Sequence, residues 1–213
     1  HQERRKGLAA TGLGLEAMPR LVEGNQPAGR LNAALTKRWR MATAPIFAGG
    51  AGDNAAGAVG LSAVAQGDAF VSLGTSGVVW ITTDAFRPFP SSAVHAFCHA
   101  LPGLWHQMGV TLSAAACLSW WAAIVGRSEG ELLAELNEIA RPSAATFLPY
   151  LAGERTPHND ASLRGRFCDL SASAGRQDLT QAVLEGVAFA LRDCADALRA
   201  GGGALTHAIV IGG

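Results

Sequence analysis

Apolar positions change their period several times along this chain, and those changes lay out its elements. Between residues 69 and 110 lie four β-type runs: Ala69 to Leu73, Val78 to Thr82, Ala93 to Ala100 and Leu104 to Val110. Gly74-Thr75-Ser76-Gly77 separates the first two and Pro102-Gly103 the last two, so each couple reads as an antiparallel pair joined by a turn. At Thr111 the period switches to that of a helix, apolar nearly all round as far as Val125, with Gly126 at the stop position. Such a helix is expected to be buried on every side. Ser128-x-x-Glu131 then spells a capping box, followed by a stripe of Leu132, Leu133, Leu136 and Ile139 and by Pro142 as terminator.

Thr146 to Leu151 reads as a short strand entering a polar loop from Gly153 to Asp160. From Asp178, with Gln181 three residues on, a long amphipathic helix is predicted to about Ala200 through Val183, Leu184, Val187, Leu191, Cys194 and Leu198. Gly201-Gly202-Gly203 ends it, and the apolar strand Ala208 to Ile211 runs into Gly212-Gly213. At the other end, residues 1 to 30 hold little periodicity and read as a short helix followed by irregular chain, extended in places. Leu31 to Trp39 reads as a helix feeding a strand at Pro45 to Ala48. Gly49-Gly50-Ala51-Gly52 follows, then Asp53-Asn54 and a small-residue helix from Ala55 to Val64. Strands interspersed with helices make the fold class α/β.

Composition narrows the possibilities. Of 213 residues 49% are hydrophobic and 16% charged, enough to bury a sizeable core and unlike a disordered chain. Seventeen basic residues balance seventeen acidic ones, so no overall field favours nucleic acid or an anionic membrane. The four cysteines form no C-x-x-C pair, which argues for reduced thiols and against a zinc site or disulfide framework. The apolar stretch Ser113 to Val125 is too short to span a bilayer. The chain opens on His1 without a signal-peptide pattern and stops straight after a strand, so both ends are expected to be cuts.

The candidate chemistry gathers on the two glycine turns. Asp53 has two readings: a helix N-cap, or a carboxylate that the helix dipole keeps ionised as a base. The glycines before it let the backbone bend tightly and a ligand come close, which a plain cap does not require. Asn54 suits a sugar hydroxyl, though Asn is also ordinary in a turn. Gly74 to Gly77 is either a plain hairpin turn or a nest of backbone amides, helped by the Thr75 and Ser76 hydroxyls, that cradles phosphate. His95 and His99, four apart in a β segment, read as core or hydrogen-bonded histidines, and Trp105, Trp120 and Trp121 as core aromatics, one of which could line a base pocket. Arg155, His158 and Asp160 form a charged cluster whose simplest reading is a solvated loop. Gly50-x-Gly52 is only a fragment of a dinucleotide fingerprint, with Ala55 at the third glycine and a hairpin where the next parallel strand is needed.

Taken together, the chain resembles the FGGY family of carbohydrate kinases. The resemblance rests on GAGDNAAGAVG (50–60), VSLGTSGV (71–78), SAVHAFCHALPGLWHQM (92–108), FLPYLAGERTPHND (147–160), AVLEGVAFALRD (182–193) and IVIGG (209–213). It implies the actin-like ATPase arrangement of ribonuclease H-like domains: residues 1–64 ending a first, sugar-binding domain and residues 65–213 belonging to a second, nucleotide-binding one. It also implies Asp53 as general base, Asn54 as a sugar contact, Gly74, Thr75 and Ser76 as a phosphate loop, and Gly212 and Gly213 as the opening of an adenosine motif. The implied reaction is ATP-dependent phosphorylation of a sugar in the cytoplasm with Mg2+. Within the resemblance, SAVHAFCHALP (92–102) and GERTPHND (153–160) imply D-xylulose as the sugar, ahead of glycerol, ribulose or gluconate. A nucleotide-binding module without catalysis is the rival from another class. The implied partners are a small-molecule sugar and ATP, with a homodimer admitted and neither nucleic acid nor membrane. The family commonly carries a third consecutive glycine where this chain has Ala51, tolerable if Ala51 keeps a negative φ. Its first phosphate loop and most sugar-binding residues belong to a region N-terminal to this sequence, so the chain alone is expected to be inactive.

Overall fold

The computed structural model describes residue 8, residues 10–136 and residues 141–212. The chain divides into two compact units, one of His1–Gly52 with Ala100–Pro102 and one of Asp53–His99 with Gly103–Gly213. The expected domain boundary after residue 64 lies one helix further along the chain than this division.

In the first unit, strands β1 (Pro27–Arg30) and β2 (Ile46–Ala48) pair antiparallel, so the extended part of the irregular opening is β1. Helix α1 (Ala33–Arg38) connects them, slightly shorter than predicted, because the Asn32 side chain accepts the Ala34 amide at 2.8 Å and fixes its start.

The second unit is built on a five-stranded sheet in the order β5-β6-β4-β3-β9. Strands β3 (Ala69–Leu73), β4 (Gly77–Thr83), β6 (Trp105–Thr111) and β5 (His95–Cys98) are antiparallel neighbours, and β9 (Ile209–Gly212) adds to β3 in parallel. All four β-type runs between 69 and 110 are therefore strands. Period-two alternation sends Val79 and Ile81 of β4 to one face, where they meet Cys194, Ala197 and Leu198. Trp80 takes the other face, stacked between Phe70 and His106. Both faces of β4 are covered, which is why its run is continuously apolar.

The long helix α5 (Arg176–Ala200) packs on that sheet and also on a smaller one formed by β7 (Thr146–Leu148) and β8 (Arg166–Cys168). Its N-terminal half joins Val183 and Ala182 to Cys117, Trp121, Leu132 and Phe147, so it belongs to both cores. The helix starts two residues before the expected Asp178, whose carboxylate reaches back to the Gly175 amide at 2.8 Å. Helix α3 is Ala115–Val125 rather than Thr111–Val125, because Thr111 stays in β6 opposite Gly77. It also buries one face only: Cys117, Trp121 and Ala122 are inside, whereas Ile124 is 57% exposed.

Helix α4 (Glu129–Glu135) carries the predicted capping box, the Glu131 carboxylate taking the Ser128 amide at 2.8 Å and Ser128 Oγ taking the Glu131 amide at 3.3 Å. Ile139, placed on its stripe from sequence, lies outside the described residues. Helix α2 is Asp53–Gly60, not Ala55–Val64. Ser62 turns left-handed (φ 57°), and the Asp68 carboxylate captures the Val64 and Ala65 amides at 2.9 and 2.7 Å, diverting the chain from a further helical turn. Among the described residues no helix is long and apolar enough to cross a membrane.

Candidate functional site

The turn between β3 and β4 is tied back through two backbone carbonyls and one hydroxyl. The Gly74 carbonyl accepts the Ala115 amide and the Thr75 carbonyl the Ala114 amide, each at 2.9 Å, and Ser76 Oγ donates to the Leu112 carbonyl at 3.3 Å. The strip from Leu112 to Ala115, leading into α3, thus forms the backing of the turn. What remains outward is donors: the exposed Thr75 and Ser76 amides and the Thr75 hydroxyl donate to no protein group among the described residues. A turn with its carbonyls consumed and its amides exposed is arranged to receive an anion. Of the two hydroxyls expected to meet a ligand, Thr75 keeps its donor and Ser76 spends its own on Leu112. Gly77 is glycine for packing, since a Cβ there would come within 2.7 Å of Thr111 Cγ2.

Gly212 is placed beside this turn. It pairs with Leu73 in the parallel β3–β9 ladder, one residue before Gly74. Its φ of 121°, and the collision of any Cβ with the Leu73 carbonyl, require glycine. Gly74 to Ser76 and Gly212 therefore share the carboxyl end of two adjacent parallel strands, where open α/β sheets bind their ligands. Gly213 lies outside the described residues. Next to the turn an apolar groove of about 290 Å³ is lined by Leu73, Ala114, Ala115, Leu118 and Val187, among others.

Asp53 is the first residue of α2 and is exposed. One carboxylate oxygen, Oδ1, accepts the Asn54 amide at 2.7 Å and the Asn54 side chain at 3.4 Å, and Oδ2 carries no hydrogen bond among the described residues. One oxygen is thus anchored and the other available for a proton. Just past α2, the Ala63 carbonyl is held by Thr82 Oγ1 at 2.8 Å and lies 3.1 Å from His99 Nε2. No hydrogen bond among the described residues joins Asp53 or Asn54 to the Gly74 turn or to Gly212. In the first unit Gly50 takes the left-handed conformation at φ 75°, and Ala51 is not among the residues with positive φ, so its methyl group meets no backbone strain.

The other candidates are held locally. Arg155 and His158 are exposed, His158 Nε2 lying 3.1 Å from Tyr150 Oη, and Asp160 turns its carboxylate to the Ser162 amide and hydroxyl. Trp120 and Trp121 pack against Phe147 and Phe167, and Trp105 against Phe86. The buried member of the charged loop is one that sequence reasoning passed over. Glu154 is 3% exposed, and its carboxylate accepts the Thr111 hydroxyl at 2.6 Å, the Leu112 amide at 2.9 Å and the Arg155 amide at 2.7 Å. Nothing in its spacing separates it from solvated neighbours, because the partners that bury it, Thr111 and Leu112, lie more than forty residues away.

The profile of the FGGY family of carbohydrate kinases, C-terminal domain, matches residues 69–213. Over 208 residues the chain is 48% identical to the xylulose kinase of Escherichia coli K12, covering 97% of this chain and 43% of that protein. The solved structure of a xyloylose kinase from Brucella ovis superposes with a TM-score of 0.94 at 56% identity, over 98% of this chain and 43% of that one. That of xylulose kinase from Rhodospirillum rubrum gives 0.83 at 26% identity, over 97% and 42%. The chain thus spans well under half the length of these relatives, and its α/β fold is that of the actin-like ATPases. With 145 of its residues inside the matched profile, from 69 to 213, the chain belongs to the FGGY family of carbohydrate kinases.

Proposed function

We propose that this chain is part of an enzyme that transfers the γ-phosphoryl group of ATP to D-xylulose, giving D-xylulose 5-phosphate. The observation that carries the reading is the exposed amide turn at Gly74–Ser76 beside Gly212, at the carboxyl end of β3 and β9. There the Thr75 and Ser76 amides and the Thr75 hydroxyl would hold nucleotide phosphates, with Gly212 and Gly213 beginning the adenosine contact. The adjacent apolar groove supports a nucleotide over a bare anion. Identity of 48% to a xylulose kinase supports the choice of sugar. Residues 1–64 are assigned to the end of the sugar-binding domain and 65–213 to the nucleotide-binding one, in keeping with a family match that begins at residue 69.

In this mechanism Asp53 takes the proton of the sugar's terminal hydroxyl on its free Oδ2 as that oxygen attacks the γ-phosphorus. The bond to the β,γ-bridging oxygen breaks and ADP leaves, while Asn54 orients the sugar. Phosphoryl transfer asks the protein mainly for positioning and charge, and the amide turn supplies both. Among the described residues no three metal-ligating side chains come together. Mg2+ would accompany the nucleotide as MgATP and neutralise phosphate charge. A cytoplasmic location and a homodimer belong to the same reading, the latter visible as a doubled mass in light scattering.

Asp53→Asn in the intact protein tests the assignment. Turnover is expected to fall by at least ~10², the lower range for removal of a general base, with ATP affinity kept. Near-normal turnover would remove Asp53 from the mechanism.

A further inference from the structure

We infer that Glu154 is a positioning residue for the nucleotide: its buried carboxylate clamps the Thr111–Leu112 strip on which the Gly74–Ser76 turn is built. This rests on the reading of that turn as the phosphate site. Strand β5 pairs with β6 only as far as Met108, opposite His95. Beyond that point the loop from Glu154 to Thr156 takes its place. The Thr156 amide donates to the Val110 carbonyl and the Val110 amide to Thr156 Oγ1, both at 3.0 Å, and Glu154 then takes the Thr111 hydroxyl and the Leu112 amide.

A carboxylate in this interior position needs several donors to offset lost hydration, and it has three. The hydrogen bonds lead from it to the turn in two steps. Glu154 fixes Leu112 through its amide, and the Leu112 carbonyl receives Ser76 Oγ. Two residues on, the Ala114 and Ala115 amides hold the Thr75 and Gly74 carbonyls. Thr111 also lies directly opposite Gly77. An apolar side chain in place of Glu154 would fill the space but leave two amides and a hydroxyl without an acceptor, so the strip would shift to satisfy them. The donors of Thr75 and Ser76 would then lose their fixed direction. The sugar site would not be addressed, because none of these bonds reaches Asp53 or Asn54.

The test compares KM for MgATP with KM for xylulose in the intact protein carrying Glu154→Leu, Glu154→Gln or Thr111→Val. Glutamine can keep one oxygen on the Leu112 and Arg155 amides and donate to Thr111 Oγ1, so it serves as the conservative rescue. Glu154→Leu is expected to raise KM for MgATP at least ~10-fold, to leave KM for xylulose within ~2-fold, and to be restored within ~3-fold by glutamine. Equal rises in both constants, an unchanged nucleotide KM, or a folded glutamine variant as impaired as leucine would overturn the inference. Should the leucine variant not fold, Thr111→Val carries the test: a rise of ~3-fold or more in the nucleotide KM alone supports the clamp, and no change overturns it. Gly74→Val separates the two layers. If it leaves nucleotide KM unchanged, the turn is not the phosphate site and both readings fall; if it weakens nucleotide while Glu154→Leu does not, only the clamp falls.

Discussion

His106 lies against Trp80 with ring centroids 3.6 Å apart and is 4% exposed. Burial, with the neighbouring His99 adding to it and a bond to the Cys98 backbone opposing it, pushes its pKa from 6.5 down to about 4. The imidazole is then neutral when folded and protonates freely when unfolded, so the unfolded chain binds the extra proton between those values. Stability should be full above pH 6.5 and fall as pH drops toward 4, by roughly 3 kcal/mol at 1.36 kcal/mol per unit. Urea midpoints at pH 7 and pH 5 should reveal the loss, and His106→Phe should remove most of it; an unchanged difference would acquit His106. Burial, assisted by the charge of Glu154, pushes the Cys117 and Cys194 thiols up to about 12. Exposed Cys98 is therefore expected to react with a thiol reagent at pH 8, while Cys117 and Cys194 wait for denaturant, as peptide mass spectrometry can check.

Among elements, α5 decides how the interior closes. Gly186 faces β7 so closely that a Cβ there would collide with the Phe147 carbonyl. Gly186→Ala should push helix and strand apart and cost roughly 1–3 kcal/mol, the usual range for overpacking, read as a lower urea midpoint with little change in slope. Leu132, fully buried between α4 and the core of Trp121, Phe147 and Val183, should cost roughly 2–5 kcal/mol on change to alanine. The elements legible in advance were those with local causes. The Ser128–Glu131 box needs only four residues, and the pair from Ala69 to Thr82 needs only its turn. Strand β8 was missed because Arg166–Cys168 is three residues long and becomes a strand only when Thr146–Leu148 lies beside it. The sequence pattern carries α3 back to Thr111 for a similar reason: only β4, paired beside it, claims Thr111 for the sheet.

At the scale of the molecule, the chain spans 43% of the E. coli relative's length. Sugar-dependent ADP release by this chain alone should therefore fall at least ~10²-fold below that of the intact protein, since phosphoryl transfer depends on complete positioning of both substrates. A panel of xylulose, ribulose, gluconate and glycerol with the intact enzyme should favour xylulose; preference for glycerol would overturn the substrate assignment. The two glycine turns stood out in the sequence, yet local chemistry left Asp53 between a cap and a base, and Gly74 to Gly77 between a hairpin and a cradle. The fold occupies the Gly74 and Thr75 carbonyls of the second turn with the Ala115 and Ala114 amides and leaves the Thr75 and Ser76 amides outward.

What the sequence determined by itself was set over short range: the strand pairs around tight turns, the capped helix, the glycines where the backbone must bend, and the α/β class. Only the tertiary structure brought Gly212 to the side of Leu73, across more than a hundred residues, and buried Glu154 under Thr111 and Leu112. The reason is physical. A turn or a cap is fixed by the conformational preferences of a few neighbouring residues, whereas the worth of a buried carboxylate depends on which distant donors the chain folds against it.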